Sequence, residues 1–157
     1  MHETLRDMRP EDFDALWDLA SRWEVVRQLG GFRWPPDADN IRQRCRPYTG
    51  EGFVWAICRD DRLIGTVGVT HGDLGYALHP AHHGQGIGAR AARIAVDRAF
   101  AEGRTVLSAS TWHDNPASHR LLRRLGFVHW QTHFAHSVAR KRPCLLRRYR
   151  LDRADWL

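Results

Sequence analysis

The chain has a single lysine, Lys141, among its 24 basic residues. Its three cysteines, Cys45, Cys58 and Cys144, are odd in number and form no C-x-x-C pair. That argues against a disulfide framework and for a reducing compartment. Long apolar runs are missing as well, and none approaches the roughly 18 residues of a membrane span. The opening MHETLRDMRPED is charged throughout and lacks the apolar core of a signal peptide. No repeat, low-complexity tract or linker divides the sequence. From these absences we expect a cytoplasmic protein with no membrane partner, folded as one domain over residues 1–157.

The residues that are present fit a globular domain: 43% are hydrophobic and 27% charged. A chain of 157 residues is long enough to bury a real core. The net charge of +6 invites a nucleic-acid reading. Against it, the arginine skew looks like codon bias, and only ARKRP and RRYR cluster near the end. A solvated basic face ranks first and a site for an acidic ligand second, so we expect no nucleic-acid partner.

Residues 4–8 read as a short strand, and Pro10 opens a helix over 11–22 with Phe13, Leu16, Trp17 and Ala20 on one face. EVVRQLGGFRWPP reads as a loop of breakers and aromatics, after which Asp37 or Asp39 caps a helix through Ile41 toward Cys45. FVWAICRDDRLIGTVGVTHGDLGYALHP reads as three antiparallel strands, turning at Asp60-Asp61 and at His71-Gly72-Asp73. A helix over 86–102 buries Ala92, Ala95, Ala99 and Phe100, and a strand follows at 105–111. Asn115-Pro116 opens a further helix that buries Leu121, Leu122 and Leu125 and ends at Gly126. FVHWQTHFAH and LLRRYRLD are the last two strands. The order β-α-α-β-β-β-α-β-α-β-β predicts a mixed α/β fold, a mostly antiparallel sheet flanked by helices. The exposed late strands make a homodimer a candidate assembly.

Gly84, Gln85, Gly86, Ile87, Gly88 and Ala89 satisfy the dinucleotide pattern G-x-G-x-x-G/A. That pattern belongs to the first turn of a Rossmann unit, with an acidic residue about 20 positions on. Here the loop follows a meander, and the next strand carries Ser108-Ala109-Ser110 instead. Without Gly-Lys-Ser/Thr, a P-loop fails too. What remains is an anion nest of backbone N–H groups at a helix N-terminus, against the bland alternative of a turn that merely starts a helix.

HGQGIGA and, one strand later, NPASHRLLRRLGF together resemble the Gcn5-related N-acetyltransferase (GNAT) superfamily. LRDMRPEDFDAL, EVVRQLG, FVWAI, LIGTVGV, LGYALHP and YRLDRADW fall in the order of its ribosomal-protein N-terminal acetyltransferase (RimJ/RimL-like) branch. The resemblance covers nearly the whole chain. It implies a single GNAT domain whose sheet splays between the fourth and fifth strands, with acetyl-CoA as cosubstrate and no metal. Acetyl-CoA would contact Leu78, His79, His83, Gly84, Gln85, Gly86, Ile87, Gly88, Ala89, Asn115 and Ser118. A backbone N–H near Leu78 would be the oxyanion donor. Two departures stand out: His83 occupies the place of the usual Arg or Gln, and Leu122 that of the tyrosine that many relatives use as general acid.

Ser118 is then the candidate proton donor to the leaving thiolate, Asn115 the helix cap that also contacts cofactor or water, and Asp73 the candidate base. Trp34, Tyr76 and Trp112 are candidate acceptor contacts. His79, His82, His83, His129, His133 and His136 offer a rival metal reading, but no cysteine or carboxylate lies nearby in sequence to complete a zinc set. The resemblance implies acetyl transfer to a primary amine by direct attack in a ternary complex. A protein or peptide N-terminus is preferred; a small-molecule amine or aminoglycoside, and a regulatory module that binds CoA without turnover, are the alternatives.

Overall fold

The computed structural model describes residues 2–156. Its strands are β1 (Thr4–Asp7), β2 (Gly52–Arg59), β3 (Arg62–Thr70), β4 (Asp73–Leu78), β5 (Val106–Trp112), β6 (Val128–Ser137) and β7 (Arg142–Asp152). The helices are α1 (Phe13–Ala20), α2 (Trp23–Val26), α3 (Ala38–Arg44), α4 (Ile87–Ala101) and α5 (Pro116–Arg124). The strands form one sheet in the order β1-β2-β3-β4-β5-β7-β6, in which only β4 and β5 pair in parallel. The mixed, mostly antiparallel sheet expected from the sequence is therefore present. No helix among the described residues is long and apolar enough to cross a membrane.

Local chemistry fixes the hairpins. Asp60 and Asp61 have φ of 50° and 62°, and His71 and Gly72 have 50° and 77°. Two successive positive-φ residues make the tight turn whose twist matches antiparallel strands. The second turn is one residue shorter than the sequence suggested. Asp73 already pairs with Thr70 as the first residue of β4, which fixes its place on the sheet.

Helices α4 and α5 cover one face. Ala92, Ala95 and Ala99 let α4 sit close to the sheet, over Val67, Leu74, Leu107 and Tyr149. Asn115 caps α5 as expected: its side chain accepts a hydrogen bond from the Ser118 backbone N–H at 3.2 Å. Pro116 needs no N–H partner at the first helical position, and Gly126 (φ 97°) ends the helix. On the opposite face, Leu16 of α1, Val26 of α2 and Ile41 of α3 close a second core over Ala56, Cys58 and Leu63.

Two local expectations change. The segment read as a loop after residue 22 begins with the short helix α2, because burying Val25 and Val26 outweighs the breakers that follow at Gly30 and Gly31. Leu121 is half-buried rather than buried, since it faces a cleft instead of the sheet.

Candidate active site

The parallel pairing of β4 and β5 lasts only two residues, Asp73↔Ser108 and Leu74↔Ala109. Beyond it, β4 stays paired with β3 as far as Leu78, and β5 with β7 as far as Trp112. The two strands therefore part, and a cleft of about 870 Å³ opens between them. The His79 N–H donates to Ile64 O at 2.8 Å. Since backbone bonds alternate along an antiparallel ladder, Tyr76 and Leu78 turn their own N–H and C=O groups into the gap. The cleft thus has an open backbone edge on one wall.

The glycine loop forms the mouth on the α4 side. Gly84 and Gly86 have φ of 76° and 75°, in the left-handed region that favours glycine, and Gly86 caps α4. The first-turn N–H groups of α4 have no intrahelical acceptors. They add a positive dipole end, worth about 0.3–1 kcal/mol to an exposed anion. Behind the loop, Arg90 donates to Gln85 O at 3.0 Å and Arg59 to the Gln85 side chain at 3.2 Å. His83 folds back on the strand instead of reaching outward: its Nε2–H donates to Leu78 O at 2.8 Å.

Across the cleft, Ser118 Oγ lies 2.5 Å from the Tyr76 hydroxyl. Burial pushes the Tyr76 phenol up to about 12, against a smaller pull from Ser118. At the closed end, Asp73 accepts a hydrogen bond from Ser108 Oγ at 2.8 Å. Burial raises its pKa, opposed by that hydrogen bond and by the charge of Arg148. The cleft therefore joins an anion nest, an open strand edge, a paired hydroxyl and a proton-hungry carboxylate.

Comparison with known proteins places this cleft in a family. Residues 3–128 match the acetyltransferase (GNAT) domain family. The chain belongs to the GNAT acetyltransferases. It is similar to the uncharacterized N-acetyltransferase YoaA of Bacillus subtilis, at 30% identity over 78% of this chain and 77% of that one. By fold it is similar to the spermidine N-acetyltransferase of Vibrio cholerae, solved with CoA and spermine (TM-score 0.79, 16% identity, 98% and 96% of the two chains). A ribosomal-protein-S5-alanine acetyltransferase from Vibrio fischeri is also similar (TM-score 0.76, 18% identity, 100% and 96%).

In this GNAT chain the expected residues sort by position. Leu78, His83, Gly84, Gly86, Ile87, Gly88, Ala89, Asn115 and Ser118 all line the cleft, as do Asp73, Tyr76 and Trp112. His79, Gln85 and Trp34 do not. The His79 side chain caps the turn at Ala81 and meets Asp18 at 3.0 Å. Gln85 turns to Arg59. Trp34 packs on Trp23, ring centroids 5.3 Å apart, against the second core. Of the six histidines in the rival reading, none joins a group of three potential metal ligands among the described residues.

Two supports have no local sequence signal. His119, beside Ser118, is buried; its Nε2–H donates to His113 O at 3.2 Å and its Nδ1 accepts from the Tyr149 hydroxyl at 2.8 Å. That bond ties α5 to β7 and so fixes the height of Ser118. Arg140, from the β6–β7 turn, makes two hydrogen bonds to Asp114, at 2.9 and 3.0 Å, and reaches Arg27 O and Gln28. It clamps the β6–β7 turn to the segment after α2 and to Asp114, just before the Asn115 cap.

Proposed function

We propose that the protein acetylates a protein or peptide N-terminal α-amine, using acetyl-CoA, by direct attack in a ternary complex. Acetyl-CoA supplies an activated acetyl thioester. The observation that carries the donor half is the parting of β4 from β5 beside the glycine loop. The loop and the α4 N-terminus suit the pyrophosphate, and the open edge of Tyr76 and Leu78 suits the amides of pantetheine. To use that edge, His83 releases or shares the Leu78 carbonyl. A Leu78 or Tyr76 N–H then stabilises the oxyanion that develops as the amine attacks.

Two groups handle protons. Asp73, raised by burial, takes the amine proton through water. Ser118, hydrogen-bonded to Tyr76, gives one to the departing thiolate. Such a thiolate, of pKa about 8.5, needs only modest acid assistance. Leu122, where many relatives carry a tyrosine, is buried and supplies none.

The acceptor follows from base strength and charge. At neutral pH an α-amine of pKa about 8 is about one-tenth neutral, whereas a lysine of pKa about 10.4 is neutral about once in 2,500, a gap of roughly 3 kcal/mol. A site whose base is one buried aspartate suits the weaker amine. A polyamine would need several free carboxylates. Of those lining the cleft, Asp114 is held by Arg140 and Arg27, and Asp73 by Ser108. That leaves Glu24, while Arg120 and Arg124 line the cleft without ion partners among the described residues.

A thiol-release screen across N-terminal peptides, polyamines and aminoglycosides tests the proposal. Release with peptides in preference to the polycations is the expected result; release with polycations alone overturns the acceptor assignment.

A further inference from the structure

The two faces of the sheet are unequally covered. On the face opposite α4 and α5, the buried residues packed with α1, α2 and α3 come from β2, β3, β4 and the β6–β7 turn. None of these clusters reaches β5, β6 or β7 among the described residues. Tyr149 and Leu151 belong to the core under α4 and α5, so alternation sends Leu146, Arg148 and Arg150 to the open side. Register adds Ser110, His133, Gln131 and Val128 to that side. Trp130, at the β6 bulge, has its ring 5.7 Å from the Arg148 guanidinium. Trp130 and Val128 are 55% and 67% exposed, which is far more than packing requires of them.

Charge is uneven along the chain as well. After Asn115 the chain has ten basic residues against two acidic ones, a net of +8; the first 115 have fourteen against sixteen, a net of −2. On the open face of these three strands the one carboxylate among the described residues is Asp152, which Arg150 holds at 3.0 Å. Among the described residues Arg148 and Arg142 have no ion partner, and the Arg148 Nε is buried with no hydrogen-bond acceptor. This face is continuous with the cleft, because Ser110, Ala135 and Leu146 line it.

We propose that the open face of β5, β7 and β6 docks the polypeptide that follows the acetylated amine, and that it selects acceptors whose early residues are acidic with apolar residues among them. The inference rests on the N-terminal acceptor reading above. Arg142, Arg148 and Arg150 supply the preference for acid; Trp130, Val128 and Leu146 supply sequence-tolerant contact area. A second copy of the chain would set these arginines against their own kind. An RNA strand would match the charge, but not the continuity with a cleft built for an amine.

The test compares two peptides with the same first residues, one continuing in Asp and Glu and the other in Lys. Initial rates are read as thiol release at low and high salt. Two or three exposed arginine–carboxylate contacts give the acidic peptide an advantage in kcat/KM of about tenfold at low salt. The ratio should fall toward unity at high salt, and a double variant, Arg148→Glu with Arg150→Glu, should reverse the order. Should that variant fail to fold, the salt dependence of the unaltered protein decides. Equal acetylation of both peptides at low salt overturns this inference and leaves the acceptor reading standing. Acetylation of neither, with thiol release from a small amine, overturns both. A dimer that the double variant dissociates, or an RNA oligonucleotide that binds this face while the peptide ratio is unity, assigns the face to another occupant and overturns the inference.

Discussion

The hydroxyls of Tyr76 on β4 and Ser118 on α5 meet at 2.5 Å, joining the two walls of the cleft. Burial holds the Tyr76 phenol at about 12, so it remains protonated throughout the working pH range and keeps the Ser118 hydroxyl oriented. Ser118→Ala and Tyr76→Phe should each lower kcat by about 10–100-fold, at the low end of general acid catalysis because the thiolate leaves readily. The KM for acetyl-CoA should change little. The double variant should be no worse than either single, since the two act as a unit. Steady-state kinetics read all three, and an unaltered kcat in Ser118→Ala removes that residue from the mechanism.

With Asp73 as the proposed base, the reaction should have an acid limb. Its pKa is raised by burial, less an opposing effect from the Ser108 hydrogen bond and Arg148, so it gains a proton at a higher pH than an ordinary aspartate. At saturating acceptor, kcat should therefore decline on acidification before pH falls to the 3.8 of an ordinary aspartate. Asp73→Asn should lower kcat and abolish that limb, whereas Ser108→Ala should move the limb to higher pH. A kcat–pH profile in which Asp73→Asn superimposes on the unaltered protein rules out the base.

The glycine loop should fail in binding rather than in chemistry. An alanine at Gly86 is forced into φ 75°, and its Cβ would meet the Arg90 guanidinium at 3.0 Å. At Gly84 there is open space, so only the backbone cost applies. That cost is about 1–2 kcal/mol, which corresponds to acetyl-CoA binding about 5–30 times weaker. Titration of acetyl-CoA into Gly84→Ala and Gly86→Ala should show the larger loss at Gly86.

How much of this was legible in the sequence depended on how local the cause was. The glycine loop, the Asn115 cap and the Gly126 stop are set by residues within a few positions of one another, and they lie where the sequence put them. The bond between Tyr76 and Ser118 spans 42 residues, so Tyr76 was visible as a cleft residue without its partner. The Arg140 clamp reaches 113 residues back to Arg27 and had no signal at all. Trp34 misled because an aromatic before Pro35-Pro36 looks the same in sequence whether it faces a ligand or the core; here it packs on Trp23. His83, where the resemblance expects Arg or Gln, turns its ring to Leu78 O, a partner that only the fold supplies.

The Asp114 clamp makes a prediction about stability. Hydrogen bonds from Arg140, with a further one from Arg27, hold the Asp114 carboxyl at about 2, below the 3.8 of an ordinary aspartate. The unfolded chain therefore takes up this proton first as pH falls. The contribution to stability is complete above about 3.8 and is lost as pH falls toward about 2. Melting temperatures of the unaltered protein and Asp114→Asn should differ at neutral pH and converge across that window. A gap that persists at the acid end would show that the clamp acts through packing and not through charge.

The most direct test of the central claim, that the parted strands and the glycine loop hold acetyl-CoA rather than a dinucleotide, is isothermal titration with acetyl-CoA and with NADH in parallel. The account predicts one saturable site for acetyl-CoA, weakened by Gly86→Ala, and no heat with NADH. Tight binding of NADH with none of acetyl-CoA would contradict it.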